Sequence, residues 1–110
     1  MRETQFQETC LQWVKREFWG KLLAVNNHGD SYSNKGFPDI TVFGNGKAIV
    51  IELKSDSGYT LQEDQIIWRN RFLKVGTAHH VIEKNDFEKF KRIIREEFPN
   101  ETEQEAPEAR

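Results

Sequence analysis

Apolar residues change their spacing along the chain, from steps of three and four residues to short strand-like runs and back again. Between residue 4 and about residue 19 the helical spacing predicts a first helix with one buried side. Its apolar positions are Phe6, Cys10, Trp13, Val14 and Phe18. Strand-forming runs follow at residues 22–25, 40–43 and 48–51. The last two flank the turn Gly44-Asn45-Gly46, so they predict an antiparallel hairpin.

The second half of the chain predicts two further helices around one strand. Thr60 and Glu63 form a capping box for a helix that runs to about Val75. Its apolar contacts are expected from Ile66, Ile67, Trp68, Phe72 and Leu73. Residues 78–82 predict a fourth strand, and Asn85 is the expected cap of a last helix through Phe98. The order α-β-β-β-α-β-α predicts an α/β (α+β) fold in which helices cover a sheet.

Length and composition predict one folded domain with a short acidic end. The 110 residues suit a single domain, and the lone cysteine, Cys10, is expected to be a small buried hydrophobe. Residues 96–110 hold six of the 18 acids and one of the 16 bases, which leaves 12 acids and 15 bases in the body. We therefore assign residues 1–98 to the domain and residues 99–110 to a disordered acidic tail. Without a signal peptide or a run of ~20 apolar residues, we expect a soluble, cytoplasmic protein.

Three charged residues stand out because of where the hairpin puts them. Asp39 precedes its first strand, and Glu52 and Lys54 end its second, in the pattern P-D-x12-E-x-K. Glu52 and Lys54 share one face, since side chains alternate along a strand. Two neighbouring carboxylates need a compensating cation, and Mg²⁺ is a hard ion that takes carboxylate and phosphate oxygens. The alternative is structural: Asp39 starts a turn, while Glu52 and Lys54 form a surface pair.

These residues resemble the signature of the PD-(D/E)xK nuclease superfamily, and further positions narrow the resemblance to its VRR-NUC branch. The similarity runs from about residue 3 to about residue 86 and implies a restriction-endonuclease-like core, a mixed sheet flanked by helices. Glu8, Leu11 and Gln12 are similar to the family's opening helix, and Asn26-Asn27 also fits. The other matching positions are Gly36-Phe37-Pro38-Asp39-Ile40, Ile51-Glu52-Leu53-Lys54-Ser55, Gly58, Leu61, Gln65 and Gly76.

The resemblance also implies roles for individual residues. Asp39 and Glu52, with the main-chain carbonyl of Leu53, are expected to bind the metal ion. Lys54 is expected to hold the attacking water or the developing charge. Gln65 is expected to touch the water or the scissile phosphate.

Other residues are expected around this centre. On the first helix, Glu8 is expected to reach the metal by way of water, and Glu3 is the rival acid. His79 and His80 are adjacent in a strand and face opposite ways, so we expect structural roles rather than a shared ion. His28 is either a loop contact or without a role. Candidate contacts to nucleic-acid phosphates are Lys35, Ser55 and Arg69.

With these roles, the resemblance implies a Mg²⁺- or Mn²⁺-dependent DNA endonuclease. It also implies a phage or bacterial protein, which is what the small stand-alone members of the family look like. A homodimer would set two active sites at a fixed distance, so Holliday-junction (four-way junction) cleavage is the favoured substrate hypothesis. Trp13, Trp19 and Trp68 are expected to contribute an apolar dimer surface. The alternatives are a flap or nicking nuclease and a noncatalytic nucleic-acid-binding module of the same fold.

Overall fold

Three helices and four strands make up the part of the chain described by the computed structural model, which comprises residues 2–28, 35–56 and 58–103. Their order is the predicted one. The elements are α1 (Glu3–Glu17), β1 (Leu23–Asn26), β2 (Ile40–Gly44), β3 (Lys47–Lys54), α2 (Glu63–Lys74), β4 (His79–Glu83) and α3 (Phe87–Glu97).

The strands form one mixed sheet in the order β1-β2-β3-β4. Both β1 and β3 run antiparallel to β2, whereas β4 runs parallel to β3. The predicted hairpin is therefore β2 and β3, with Ile40 opposite Ile51. At its tip Asn45 and Gly46 have φ of 50° and 74°, the two positive values that a tight hairpin turn requires. Helix α2 is the crossover that joins the parallel pair.

The hydrophobic core lies between one face of the sheet and helices α1 and α3. Trp13 of α1 packs edge-on against two rings of α3, Phe87 and Phe90, at centroid distances of 6.1 and 6.0 Å. Cys10 is fully buried in this core, as predicted, and burial raises the pKa of its thiol to about 12. The sheet residues that point into the core are Ile40, Val42, Ile49, Ile51, Leu53 and Ile82.

Helix α2 lies on the opposite face of the sheet. None of its residues is buried, whereas α1 and α3 each bury several. Its rings Trp68 and Phe72 pack on Phe37, at centroid distances of 4.9 and 5.5 Å. Of the apolar contacts predicted for this helix, those of Trp68 and Phe72 are therefore present. The other predicted residues, Ile66, Ile67 and Leu73, lie exposed.

Both predicted caps of the later helices are displaced. The backbone N–H of Gln62 donates to the side chain of Gln65 at 2.8 Å, so the chain enters α2 through Gln62 and not through Thr60. Helix α3 is capped by Asp86, whose carboxylate accepts from the third residue beyond it. Asn85, the predicted cap, has φ 55° and belongs to the preceding turn.

The chain that follows α3 stays in contact with it. Arg95 Nε lies 2.7 Å from Glu103 Oε1, so residues 99–103 fold back on the helix. Residues 104–110, most of the predicted acidic tail, lie outside the described residues, and the assignment of a disordered tail stays a prediction. Among the described helices, none has the length and apolar character needed to cross a membrane.

Candidate active site

The hairpin places Asp39 and Glu52 side by side at one end of the sheet. Asp39 stands immediately before β2, and Glu52 lies near the end of β3. Both carboxylates are buried, with 8% and 4% of the residue surface exposed. Lys54 shares the face of Glu52, whereas Leu53 between them points into the core. The predicted cluster of two acids and one lysine is therefore present.

Four hydrogen bonds hold Asp39 in place. Its backbone N–H donates to the carbonyl of Ile51 at 3.0 Å, and its carboxylate Oδ2 accepts from the Leu53 N–H at 2.7 Å. Its own carbonyl accepts from the Asn27 N–H at 2.9 Å and from Gln7 Nε2 at 3.2 Å. The side chain thus continues the β2–β3 ladder one step beyond the last paired residue. Such a network fixes the carboxylate position without help from a ligand.

Glu52 is a strongly perturbed carboxyl group. Burial, together with repulsion by the neighbouring Asp39 and a hydrogen bond between the two side chains, raises its pKa to about 9. Its Oε1 atom is buried without a hydrogen-bond partner. A buried acceptor left unpaired is costly, so the pair calls for a proton or a cation between its oxygens.

Lys54 and Gln65 complete the polar cluster from β3 and α2. Lys54 Nζ donates to Gln65 Oε1 at 2.8 Å, and Gln65 Nε2 lies 3.4 Å from Glu52 Oε2. Gly36 makes this approach possible: its φ is 81°, and a Cβ there would stand 2.5 Å from the Cβ of Asp64. The bare backbone of this turn lets the start of α2 sit close to the site.

The donor set suits a divalent cation with few protein ligands. Among the described residues no group of three or more His, Cys, Asp or Glu side chains converges. A strand residue points its N–H and carbonyl to the same edge, so the Leu53 carbonyl faces the side on which Asp39 accepts the Leu53 N–H. Two carboxylates, of which Glu52 has an unpartnered Oε1, and one carbonyl fit Mg²⁺, which commonly keeps waters and takes substrate phosphates as further ligands.

His28 and Glu3, whose roles the sequence did not decide, both lie at the site. His28 Nε2 is 3.2 Å from Asp39 Oδ1, on the carboxylate oxygen that Leu53 does not use. Glu3 interacts electrostatically with Asp39 and Lys54, and burial together with Asp39 raises its pKa. A third residue, Gln7, was missed altogether, although its position one turn after Glu3 on the same helix face could have revealed it.

Glu8 is not brought to this cluster. It is exposed, its Oε1 accepts from Gln12 Nε2 at 3.0 Å, and it lines a separate groove with Trp13. The sheet-facing side of α1 is set by its buried residues, and Glu8 lies on the other side. The geometry therefore favours Glu3, the rival acid, for the role predicted for Glu8.

The three predicted phosphate contacts lie in different places. Ser55 is exposed beside Lys54. Lys35 is fully accessible, with Nζ 3.4 Å from Asp64 Oδ2 at the start of α2. Arg69 turns toward β4 instead, where its Nε is buried without a partner. Burial lowers the pKa of His79 on that strand, and the charge of Arg69 lowers it further.

His79 and His80 occupy opposite faces of β4, as predicted. His80 Nε2 lies 2.5 Å from Glu97 Oε2, and Lys47 Nζ lies 2.8 Å from the other oxygen of the same carboxylate. These contacts fasten the end of α3 to the sheet, a structural role. No metal shared by the two imidazoles is compatible with this arrangement.

The arrangement of a mixed four-stranded sheet with three helices is α+β and consistent with a restriction-endonuclease-like fold. A solved structure described as a VRR_NUC domain protein matches it with a TM-score of 0.62 and 16% sequence identity, over 86% of this chain and 87% of that chain. No protein-family model and no curated protein matches the sequence. The chain therefore has a VRR-NUC-like fold, and at this identity the likeness establishes the fold alone.

The raised pKa of Glu52 predicts how stability depends on pH in the absence of metal. A carboxyl that binds its proton more tightly in the folded state stabilises the protein fully below its ordinary value of 4.5, and the contribution is lost as pH rises toward about 9. The free energy of unfolding should fall by up to about 1.4 kcal/mol per pH unit across that range. Urea denaturation of the wild type and Glu52→Gln in EDTA measures it.

The glutamine variant should be the more stable protein at pH 8 and should lack most of this slope. Glu63→Gln, which alters an exposed acid in the first turn of α2, is the matched control and should behave as the wild type. Equal slopes for the wild type and Glu52→Gln would contradict a protonated Glu52.

Proposed function

We propose that this protein is a divalent-metal-dependent nuclease that hydrolyses phosphodiester bonds in DNA. The single observation that carries the proposal is the buried Asp39–Glu52 pair, with an unpartnered Glu52 oxygen and Lys54 on the same face. An ordinary surface pair would be solvated and would not bury two carboxylates against each other. The VRR-NUC-like fold supports the same reading.

In this proposal Asp39, Glu52 and the Leu53 carbonyl hold the metal ion. A divalent ion held by these residues would supply Lewis-acid chemistry for the activation of water and the neutralisation of phosphate charge. Lys54 Nζ, held 2.8 Å from Gln65 Oε1, stands ready to donate to the attacking water or to a phosphate oxygen. Gln65 positions the Lys54 ammonium relative to Glu52, since its amide contacts both.

Substitutions of the proposed catalytic residues test the activity directly. Asp39→Asn and Lys54→Ala should each lower the rate of DNA cleavage in Mg²⁺ or Mn²⁺ by at least about 100-fold, because each removes a metal ligand or a charge that acts in the transition state. EDTA should abolish cleavage by the wild type. Gel assays on labelled DNA measure the rates.

Arg92→Ala removes an exposed arginine of α3 and is the control for loss of positive charge. It should cut at the wild-type rate. Cleavage by a folded Asp39→Asn protein at the wild-type rate would sink the metal-site assignment and favour the noncatalytic binding module.

A pair of glutamate variants separates the two acids of α1. Glu3→Gln should weaken the apparent affinity for Mg²⁺, because Glu3 interacts with Asp39 across the site, whereas Glu8→Gln should leave it unchanged. The measurement is the Mg²⁺ dependence of cleavage. The opposite result would restore Glu8 to the role that the sequence predicts.

Within this activity we propose branched DNA, with four-way junctions as the leading substrate, and a homodimer as the acting species. One chain carries one Asp39–Glu52 centre, and a two-fold dimer matches the symmetry of a junction that needs two incisions. Trp13 is buried in the core and offers little surface to an interface, and Trp68 is half-buried against Phe37. Trp19 is 42% exposed and lines a groove with Leu23, an exposed residue paired with the exposed Phe43.

The dimer is tested by placing a charge in the exposed apolar patch formed by Trp19, Leu23 and Phe43. Phe43→Arg, at a ring that is 44% exposed, should give a folded monomer by sedimentation, while the wild type should be a dimer. Val75→Arg, at an exposed position after α2, is the control and should not change the mass. A wild type that is monomeric while it cuts, or that nicks one strand per encounter, would favour the flap or nicking alternative.

A further inference from the structure

A polar groove opens directly beside the catalytic lysine and has no role in the chemistry described above. Its volume is about 410 Å³, and Lys54 forms part of its wall. The loop between β3 and α2 supplies most of the rest, including Tyr59, whose surface is 40% exposed. Any substrate whose phosphate lies at Lys54 therefore places its neighbouring atoms at the mouth of this groove.

The charge of the groove argues against a second phosphate as its occupant. Lys54 is the only cation among the described residues of the wall, and its ammonium is already turned to Gln65. Glu3 and Asp56 also line the groove and interact with each other electrostatically. A phosphate that entered would be repelled by these two carboxylates.

The same wall suits a nucleobase. An aromatic ring offers a face on which any base can stack, whatever its sequence. Carboxylates accept hydrogen bonds from the amino and imino groups of a base, and the Thr60 hydroxyl and the Gln62 amide can donate to its carbonyl oxygens. A base held in this way must be unpaired, because its stacking face and its hydrogen-bonding edge are both engaged.

We infer that this groove binds an unpaired nucleobase next to the scissile phosphate, stacked on Tyr59. The inference rests on the proposed nuclease function and deepens it, since it selects nucleic acid with an unpaired nucleotide at the cut, as at a branch point or in a single strand. Tyr59 is thereby a binding residue that acts on substrate choice, and the Asp39–Glu52 centre acts on hydrolysis.

The test compares two ten-nucleotide single strands, one with ordinary bases and one in which every nucleotide lacks its base. The phosphates are identical, so any difference in affinity comes from the bases. In EDTA and at fixed salt, the wild type should prefer the ordinary strand by roughly 5-fold to 150-fold, the range of base–aromatic stacking. Tyr59→Ala should lose that preference, and Tyr59→Phe, which keeps the ring, should retain it.

Val75→Ala, at an exposed apolar position after the end of α2, should bind as the wild type does. A wild type without preference for bases, or a Tyr59→Ala protein that keeps the preference, overturns the inference. Cleavage in Mg²⁺ is measured separately. A preference for bases without any cleavage would support base binding in the groove and contradict the nuclease proposal. Cleavage without a preference for bases would support the nuclease proposal and contradict base binding in the groove.

Discussion

The hydrogen bond from the Leu53 N–H to the Asp39 carboxylate is the contact on which the site depends. It carries the β2–β3 ladder past the last paired residues, and in doing so it places a carboxylate where the backbone carbonyl of a longer strand would stand. Because one oxygen of Asp39 is committed to Leu53, the other is left to face His28. The same bond sets the edge toward which the Leu53 carbonyl points, and it holds Asp39 against Glu52.

That arrangement works against stability. Glu52 is buried beside a second acid, and one of its oxygens has no partner, so its surroundings raise its pKa and favour the protonated form when no metal is bound. A sequence selected for stability alone would place an amide or an apolar residue at this point of the strand. The conflict between local physics and fold at Glu52 falls among the residues proposed for function, where such conflicts are expected.

The sequence predicted the hairpin and its three charged residues because the information is local: a turn, two alternating strands and a fixed separation determine which side chains meet. It did not decide whether Glu3 or Glu8 faces the site, because that depends on how α1 is rotated against the sheet. The spacing from the buried residues of α1 nevertheless indicates that rotation. Glu3 precedes the buried Cys10 by seven residues, almost two full turns, whereas Glu8 is about 200° away from Cys10. The exposure of Ile66 on α2 could not be predicted from the sequence of the helix, since it depends on which side chains the facing side of the sheet presents.

The shallow attachment of α2 separates the persistence of the fold from the persistence of the site. The core between the sheet, α1 and α3 contains no residue of α2, so this helix can detach by local unfolding while the rest of the domain remains native. Each detachment would remove Gln65 from Lys54 and leave Asp39 in place. We therefore expect the proposed site to lose its arrangement before the fold does, so that mild heat or denaturant would disrupt the site while the core remains folded.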